Sequence, residues 1–435
     1  MTGRLRRELG LVPLAAVVFF NVSGGPYGIE DLIPSFGPGL ALLLLVLTPL
    51  VWSLPVSLVM SEMASAMPDE GGYVTWVRRA FGPFWSFQVG WWSWLDSFVD
   101  VAIYPALFVE YLRFWYPAMT GGERWLLVVA FVVVLTILNV LGVRPVGRLA
   151  VALAVGVLAP IAALTIVGLA SMRAAPWEPF LAEGRSLEAG IGLGLAVVMW
   201  NYGGWDTPST TLGETRRPER AFTAAIRLAL PVVIACYVLP VTVALAAGSD
   251  WRTWSTGSLP RVAAGVGGAW LGHAVAVGAV LSTVGLFLSL VLTNSRLPFV
   301  LARDHRLPRV FTRIHERYGT PWVAIAASAA IYAGFAAFSF RELIVLNVWL
   351  YSLSLLVELA AFVRLRIAEP GLARPSRVRG GTPGMILVAA IPALFAVLAM
   401  ATAGWLNTLA GLIAAATGPV AYFTLRSPGV SKIGH

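Results

Sequence analysis

Long runs of apolar residues alternate along the chain with short polar segments that contain charges, proline or glycine. A helix of about 20 apolar residues crosses the hydrocarbon core of a membrane. The runs predict an all-α membrane protein with twelve transmembrane helices. The predicted spans are 11–36, 39–67, 84–112, 124–142, 147–171, 188–213, 222–247, 270–295, 320–338, 342–364, 383–401 and 404–425. Segment 73–81 is too short to cross, and we interpret it as a helix at the membrane interface.

The composition agrees with a chain embedded in lipid. Hydrophobic residues make up 58% of the 435 residues and charged residues only 12%, whereas a soluble protein has about 25% charged residues. A soluble fold could not cover its surface with so few charges. No polar stretch is long enough for a separate domain, so we expect residues 1–435 to form a single transmembrane domain.

The positive charges are distributed unevenly between the predicted loops. With twelve spans and a cytoplasmic N-terminus, 24 of the 31 lysine and arginine residues fall on the cytoplasmic side. Positive residues accumulate on that side of membrane proteins. The pattern therefore favours a multi-pass protein of the cell (plasma or inner) membrane with cytoplasmic N- and C-termini. The arginines are scattered between apolar runs, which argues against nucleic-acid binding.

The chain offers few residues for metal, redox or covalent chemistry. Cys236 is the only cysteine, and His273, His305, His315 and His435 have no partner at ligand spacing. The polar loops are also too short for an active-site domain. We therefore expect no metal, no cofactor and no catalytic residues, and we do not expect an enzyme.

The first span is interrupted by Asn21-Val22-Ser23-Gly24-Gly25-Pro26-Tyr27-Gly28. Proline lacks an amide donor and disfavours helical geometry at the preceding residue. The sequence predicts a break here, with a new half-helix starting near Pro26. Backbone groups freed by a break cannot face lipid, so they line a cavity or are bound by protein. A packing kink is the alternative interpretation of a single break.

The sixth span contains a second interruption, Trp200-Asn201-Tyr202-Gly203-Gly204-Trp205-Asp206-Thr207-Pro208. Pro208 suits the first turn of a new helical segment, with Asp206 or Thr207 as its cap. The two breaks lie in the first helices of two five-helix halves whose predicted orientations are opposite. This favours a five-plus-five inverted repeat with discontinuous helices 1 and 6 and a solute site between the breaks. Residues 11–171 form the first repeat, 188–364 the second, and 383–425 two appended helices.

The two breaks offer complementary groups to a solute. The half-helix starting near Pro26 presents amides and a positive dipole end to a carboxylate, and the half-helix ending near Trp200 presents carbonyls to an ammonium group. Aromatic side chains in the breaks can stack on a cation or simply pack. The predicted solute-binding residues in the breaks are Asn21, Ser23, Gly24, Gly25, Tyr27, Gly28, Trp200, Asn201, Tyr202, Gly203, Trp205 and Asp206.

Acidic residues also occur at predicted membrane depth. Asp96 and Asp100 are four residues apart and share a helical face, while Glu358 is isolated in the tenth span. Buried carboxylates repel one another unless a proton or a cation neutralises them. Asp96 and Asp100 are therefore candidates for solute binding and, together with Glu358, for proton coupling. Buried, hydrogen-bonded structural roles are the alternative.

Several other polar residues have less specific interpretations. Glu30 and Asp31 follow the first break and suit either a helix start or the outer mouth of the site. Glu62, near the inner end of the second span, suits a structural or gating role. Hydroxyl groups in the eighth span are candidates for holding sodium, although such groups more often bond their own backbone. These hydroxyl residues are Ser282, Thr283 and Ser289.

Short motifs throughout the chain resemble those of one transporter superfamily. They are segments 22–31, 71–74, 205–206, 213–214 with Pro218, 318–321 and 358–366. The chain is similar to the amino acid–polyamine–organocation superfamily, and to its polyamine uptake branch. The resemblance implies a LeuT-like fold, solute loops at 23–28 and 200–206, and uptake coupled to protons or by exchange. Plant polyamine carriers tend to have glutamate where this chain has Asn21, and acidic residues where it has Leu290 and Asn294, which favours an amino acid.

The sequence thus predicts a permease that moves an amino acid or polyamine by alternating access, as a proton symporter or an exchanger. The expected partners are a small amine-bearing solute, membrane lipid and a coupling ion, for which we predict H⁺. A sensor that binds amines without transporting them, or a channel, is the alternative.

Overall fold

The computed structural model describes residues 5–184, 187–304, 306–337 and 340–425. Helices are the regular structure of this part of the chain, together with one isolated β-bridge, so the prediction of an all-α fold is confirmed. The α-helices are α1 (Leu11–Val22), α2 (Leu32–Phe36), α3 (Pro38–Thr48), α4 (Leu54–Ala66), α5 (Tyr73–Phe81), α6 (Pro83–Leu112), α7 (Gly121–Val140), α8 (Val143–Ala170), α9 (Leu187–Asn201), α10 (Pro218–Ala246), α11 (Leu259–Gly267), α12 (Ala269–Asn294), α13 (Arg296–Arg303), α14 (Trp322–Phe335), α15 (Phe340–Ala368), α16 (Gly381–Thr402) and α17 (Trp405–Thr424).

Seven helical segments in the described residues are long and apolar enough to cross a membrane. Helices α1 and α14 are apolar but shorter, and α6 is 30 residues long with several acidic side chains. These helices make the chain a multi-pass membrane protein. The seven segments are Pro38–Ala66, Gly121–Val140, Val143–Ala170, Pro218–Ala246, Ala269–Arg303, Gly381–Thr402 and Trp405–Thr424.

Both predicted breaks are present, but the details differ from the prediction. After α1, residues 23–31 are not helical, and the second half-helix begins at Leu32 instead of near Pro26. The delay arises because Gly25 and Gly28 adopt positive φ angles of 103° and 87°, which a right-handed helix excludes. After α9, residues 202–206 are not helical, and a 3₁₀ helix follows over Thr207–Glu214.

The predicted short helix at Tyr73–Phe81 is confirmed as α5. A second short amphipathic helix, α11, lies in the segment between the predicted spans 222–247 and 270–295, where no helix is predicted from the sequence. Each precedes a long helix and packs against it, α5 on α6 and α11 on α12. Each also packs on one further helix, α5 on α15 and α11 on α8.

The long helices pack in matched pairs. Helix α1 contacts α8 and α10, while α9 contacts α15 and α3. Helix α6 contacts α15 and α14, while α12 contacts α8 and α7. Finally α6 packs on α12, and α7 packs on α14. Each of these contacts of a helix before residue 171 thus has a counterpart among the helices after residue 187.

Buried polar contacts join segments at one end of the bundle. Leu9 forms a parallel bridge with Thr215, because the Leu9 amide donates to the Glu214 carbonyl at 3.0 Å and the Arg216 amide donates to the Leu9 carbonyl at 2.9 Å. The Glu214 carboxylate also accepts two bonds from the Arg296 guanidinium, at 2.8 and 2.9 Å. The N-terminal segment, the 3₁₀ helix and α13 are therefore tied together.

Glu62 forms a second buried cluster. Its carboxylate pairs with Arg366 and lies 3.2 Å from the Arg374 guanidinium, and it accepts a bond from the Val378 amide at 2.6 Å. These contacts hold the segment that joins α15 and α16 against α4. They support a structural role for Glu62, since Arg366 lies at the end of α15 and the other two partners belong to the connection that follows it.

Candidate functional site

A cavity lies between the two breaks. Residues of both breaks line it, together with side chains from α6, α10, α12 and α15. Its volume of about 60 Å³ gives room for only a few water molecules. Among the predicted residues, the lining includes Asn21, Ser23, Gly24, Tyr27, Asp96, Asp100, Trp200, Asn201 and Gly203. The structure therefore brings together nine of the predicted residues from three separate helices.

The first break is held in place by α12. Gly24 has no room for a side chain, because an added Cβ would overlap Ser282 and Leu286. The amides of Gly25 and Gly28 bond within the break, to the Ser23 hydroxyl at 3.1 Å and to the Glu30 carboxylate at 2.7 Å. The Gly24 amide has no such acceptor in the described residues, so it remains available to a solute.

Two asparagines end the helices that lead into the breaks. The Asn21 amide nitrogen donates to the Val17 carbonyl at 2.8 Å, and its oxygen accepts from the Thr293 hydroxyl at 2.8 Å. The Asn201 amide nitrogen donates to the Val197 carbonyl at 2.8 Å, and its oxygen accepts from the Tyr237 hydroxyl at 3.3 Å. Both side chains line the cavity while fixing the ends of α1 and α9.

The second break is closed by Tyr351 of α15. The Tyr351 hydroxyl accepts a hydrogen bond from the Gly204 amide at 3.0 Å and donates one to Asp206 at 2.7 Å. Asp206, one of the two residues predicted as cap, occupies the N-cap position of the 3₁₀ helix, but its side chain makes no cap hydrogen bond. The tyrosine hydroxyl holds the carboxylate instead.

Gly204 also brings the two breaks into direct contact. Its φ is +86°, and an added Cβ would overlap the carbonyl oxygen of Asn21. The backbone of one break therefore lies against the backbone of the other, with no side chain between them.

The cavity is acidic and aromatic. Asp96 and Asp100 of α6 line it, and the described lining contains no lysine, arginine or histidine. Asp100 accepts a hydrogen bond from the Trp200 indole at 3.1 Å, which links α6 to the second break. Trp52, Tyr104, Tyr237 and Tyr351 complete an aromatic wall that sequence reasoning missed. Aromatic faces and carboxylates together favour a cation.

Five predicted solute residues lie outside this lining. The Tyr202 hydroxyl donates to the Leu45 carbonyl at 2.9 Å, and the Trp205 indole donates to the Tyr202 carbonyl at 2.9 Å. Both side chains are fully buried. Gly25 and Gly28 shape the first break, and Asp206 is joined to the cavity through Tyr351.

The remaining acidic residues separate into distinct environments. Glu30 accepts bonds from the Gly28 amide and, at 3.1 Å, from the Tyr111 hydroxyl. The Asp31 carboxylate accepts hydrogen bonds from the Thr256 amide at 3.0 Å and from the Thr256 hydroxyl at 2.6 Å. Glu358 is 3% exposed, and neither of its carboxylate oxygens has a hydrogen-bond partner in the described part of the chain.

The hydroxyl groups considered for sodium lie on α12. Ser282 and Thr283 line the cavity. Thr283 donates to the Val280 carbonyl of its own helix at 2.8 Å. Ser282 and Ser289 are buried, and their hydroxyls have no partner in the described residues. Ser282 therefore keeps a free oxygen beside the first break.

Comparisons with known proteins identify the family of the chain. The family model described as amino acid permease matches residues 9–423. The polyamine transporter PUT1 of Oryza sativa subsp. japonica is 36% identical over 91% of this chain and 74% of its own. The polyamine transporter RMV1 of Arabidopsis thaliana is 33% identical over 95% of this chain and 84% of its own. The serine/threonine exchanger SteT of Bacillus subtilis (strain 168) is 23% identical over 75% of this chain and 76% of its own.

These relatives are named as transporters or exchangers, not as enzymes, and they match nearly the whole length of the bundle. They confirm both the family resemblance and the expectation that the chain is not an enzyme. The matched region contains both breaks and every residue of the cavity. The chain thus belongs to the amino acid permease family of the amino acid–polyamine–organocation superfamily, and it is a membrane transporter.

Proposed function

We propose that the chain transports a small organic amine, with a polyamine as the first candidate and an amino acid as the second. The observation that carries the proposal is a cavity between two helix breaks that contains two carboxylates and, in its described lining, no basic side chain. Several carboxylates without a fixed cation suit a solute with more than one ammonium group. The relatives named polyamine transporters support the same assignment.

An amino acid remains the second candidate because one specific group favours it. The Gly24 amide lines the cavity without an acceptor in the described residues, and such an amide can bind a carboxylate. A relative named as a serine/threonine exchanger points the same way. In this mode the amino group faces Asp100 and the carboxylate faces the first break.

We propose that transport follows alternating access in a five-plus-five inverted repeat with discontinuous helices 1 and 6. The matched helix pairs support it, since the contacts of α1 and α6 described above have counterparts in those of α9 and α12. The short helices α5 and α11 support it further, because each occupies the same place in its half. Residues 11–171 and 188–364 are the two repeats of this single domain, and 383–425 supply the two appended helices.

We propose protons as the coupling ions, carried by Asp96, Asp100 and Glu358. Glu358 lies two helical turns from Tyr351 on α15, and its buried carboxylate lacks a partner among the described residues. An unpaired carboxylate is expensive at membrane depth unless it holds a proton. Sodium is the alternative ion, supported by the free Ser282 hydroxyl, and exchange without an ion is the third mode.

The placement in the cell membrane, with both termini cytoplasmic, rests on the distribution of positive charges. A reporter that fluoresces only in the cytoplasm, fused to the C-terminus, tests it. Fluorescence supports the proposed orientation, and its absence with full expression of the fusion contradicts it.

Transport by purified protein in liposomes tests the proposed function. We expect saturable uptake of labelled putrescine, driven by a proton gradient and unaffected by replacing sodium. Asp100→Asn should reduce uptake at least tenfold, whereas Asp250→Asn, which removes an exposed acid outside the cavity, should not. Saturable uptake of serine without putrescine would select the amino acid, and non-saturating flux would identify a channel.

Glu358→Gln separates coupling from solute binding. If Glu358 carries the proton, the variant should lose accumulation driven by a proton gradient while it still exchanges internal for external solute. Loss of both activities in a variant that binds solute normally would place Glu358 in the movement of the helices instead.

A further inference from the structure

An apolar groove lies on the outer surface between α15 and α16. Its volume is about 710 Å³, within the range of roughly 300–1,000 Å³ that small-molecule sites occupy. The groove shares no residue with the solute cavity. It is lined by Phe81, Leu356, Leu359, Ala360, Val363, Arg364, Ile367, Ala368, Ile386, Ala389, Ala390 and Ala393.

The groove is concave because small side chains predominate on its α16 wall, opposite mostly larger apolar residues of α15. On α16 the lining residues Ile386, Ala389, Ala390 and Ala393 follow helical spacing along one face. On α15 the opposite face also carries alanines, including Ala360. Alanine leaves an open channel where larger residues would fill the space, so the surface between the helices stays concave.

The length of the groove matches one leaflet of a membrane. From Leu356 to Ala368 the helix rises about 18 Å at 1.5 Å per residue. One leaflet of the hydrocarbon core is about 15 Å thick, half of the whole core. The groove begins at the end of α15 where the chain leaves the bundle, so it runs inward from the membrane surface.

The described lining of this apolar groove contains one cationic side chain, that of Arg364. Arg364 is exposed and has no ion-pair partner in the described residues, where its guanidinium lies 5.4 Å from the centre of the Phe81 ring. The nearby acid Glu369 is already bound by Arg79, at 2.9 and 2.6 Å. The Arg364 guanidinium is thus available to pair with an anionic group at the exposed edge of the groove.

From these features we infer that the groove is a binding site for an anionic phospholipid. One acyl chain lies between α15 and α16, and the phosphate pairs with the Arg364 guanidinium. The charge count places this end of α15 on the cytoplasmic side, where anionic lipids give the membrane a negative surface. Since α15 also carries Tyr351 and Glu358, a bound lipid contacts the helix that closes the second break.

Binding to the full-length protein in detergent tests this inference without any transport measurement. The probes are dioleoyl phosphatidylglycerol, dioleoyl phosphatidylcholine, and glycerol phosphate without acyl chains. Native mass spectrometry counts the bound lipid, and a thermal-shift assay follows stabilisation. We expect phosphatidylglycerol to bind at least threefold more tightly than phosphatidylcholine, and glycerol phosphate not to bind.

Two variants locate the site. Arg364→Gln should remove the preference for phosphatidylglycerol, and Ala390→Trp should reduce binding of both lipids by filling the channel. The matched controls Arg148→Gln and Ala410→Trp change exposed residues on α8 and α17 and should leave binding unchanged. Equal lipid binding by all four variants would overturn the inference. Arg364→Gln changes only an exposed side chain, so it decides the question even if Ala390→Trp fails to fold.

Discussion

The contact between the two breaks can be tested by adding one methyl group at Gly204. Alanine there has two consequences. Its φ of +86° is a conformation that L residues rarely adopt, and its Cβ would overlap the carbonyl oxygen of Asn21. The amide that donates to Tyr351 is retained, so Gly204→Ala perturbs only backbone strain and the distance between the breaks.

The two contributions can be separated with a matched glycine. Gly248 has nearly the same φ, +82°, but an added Cβ would meet no atom within 4 Å. Gly248→Ala should therefore cost only the conformational strain, about 1–2 kcal/mol. Gly204→Ala should cost the same strain plus about 1–3 kcal/mol for overpacking, because the obstacle is backbone and cannot rotate away.

Unfolding of the two variants in mixed detergent and SDS micelles measures the difference. We expect Gly204→Ala to be less stable than Gly248→Ala by about 1–3 kcal/mol, and its affinity for solute to fall because the breaks are pushed apart. If both variants are equally stable, the close approach of the breaks contributes nothing, and the reasoning is refuted.

Three further changes test other contacts. Tyr351→Phe removes the donor to Asp206 and should destabilise the protein by about 1–3 kcal/mol and slow uptake; unchanged unfolding and uptake would contradict the closing role of the hydroxyl. Burial and the charge of Glu214 raise the pKa of Glu70 in the loop 67–72. The folded state therefore loses stability as the pH rises through that raised pKa, and Glu70→Gln should melt increasingly above the parent as the pH rises from the ordinary glutamate pKa of 4.5 toward the raised one; a constant difference would argue against it. Glu214→Gln leaves Arg296 buried and unpaired, and SDS unfolding should show a loss of about 3–5 kcal/mol, partly recovered by adding Arg296→Met; no recovery would mean that the pair itself is not the cause.

The two breaks could be predicted because proline and glycine alter the backbone locally. Their positions follow from Gly24-Gly25-Pro26 and Gly203-Gly204 without any knowledge of the neighbours. The start of the second half-helix could not be predicted in the same way. It depends on the positive φ angles of Gly25 and Gly28, and at Gly25 an added Cβ would also overlap Ile161, a residue distant in sequence.

The residues that form the walls of the cavity are harder to predict from the sequence. Asp96 and Asp100 stand out because a carboxylate is rare in an apolar run, and both line the site. Tyr351 and Tyr237 are ordinary aromatic residues of membrane helices, and nothing in their local sequence distinguishes them from residues that face lipid. Only the three-dimensional arrangement of α10 and α15 brings their hydroxyls to the second break.

In the second break, residue type is also a misleading guide to which side chains line the solute cavity. Tyr202 and Trp205 lie among cavity residues in the chain, yet they point into the core and hydrogen-bond to carbonyls there. In a stretch without helical geometry, neighbouring residues can face opposite directions. Periodicity therefore gives no basis for assigning such residues to the cavity or to the core.

The bridge between Leu9 and Thr215 gives the first residues of the chain an influence on conformational equilibrium. Its two backbone hydrogen bonds contribute about 1–3 kcal/mol together, so their loss alters the ratio of two conformers by about 5- to 150-fold. These two hydrogen bonds must break before the N-terminal segment and the 3₁₀ helix can separate at this end of the bundle. A bulky fusion placed directly before residue 5 would strain these hydrogen bonds. Purification tags are therefore better attached at the C-terminus.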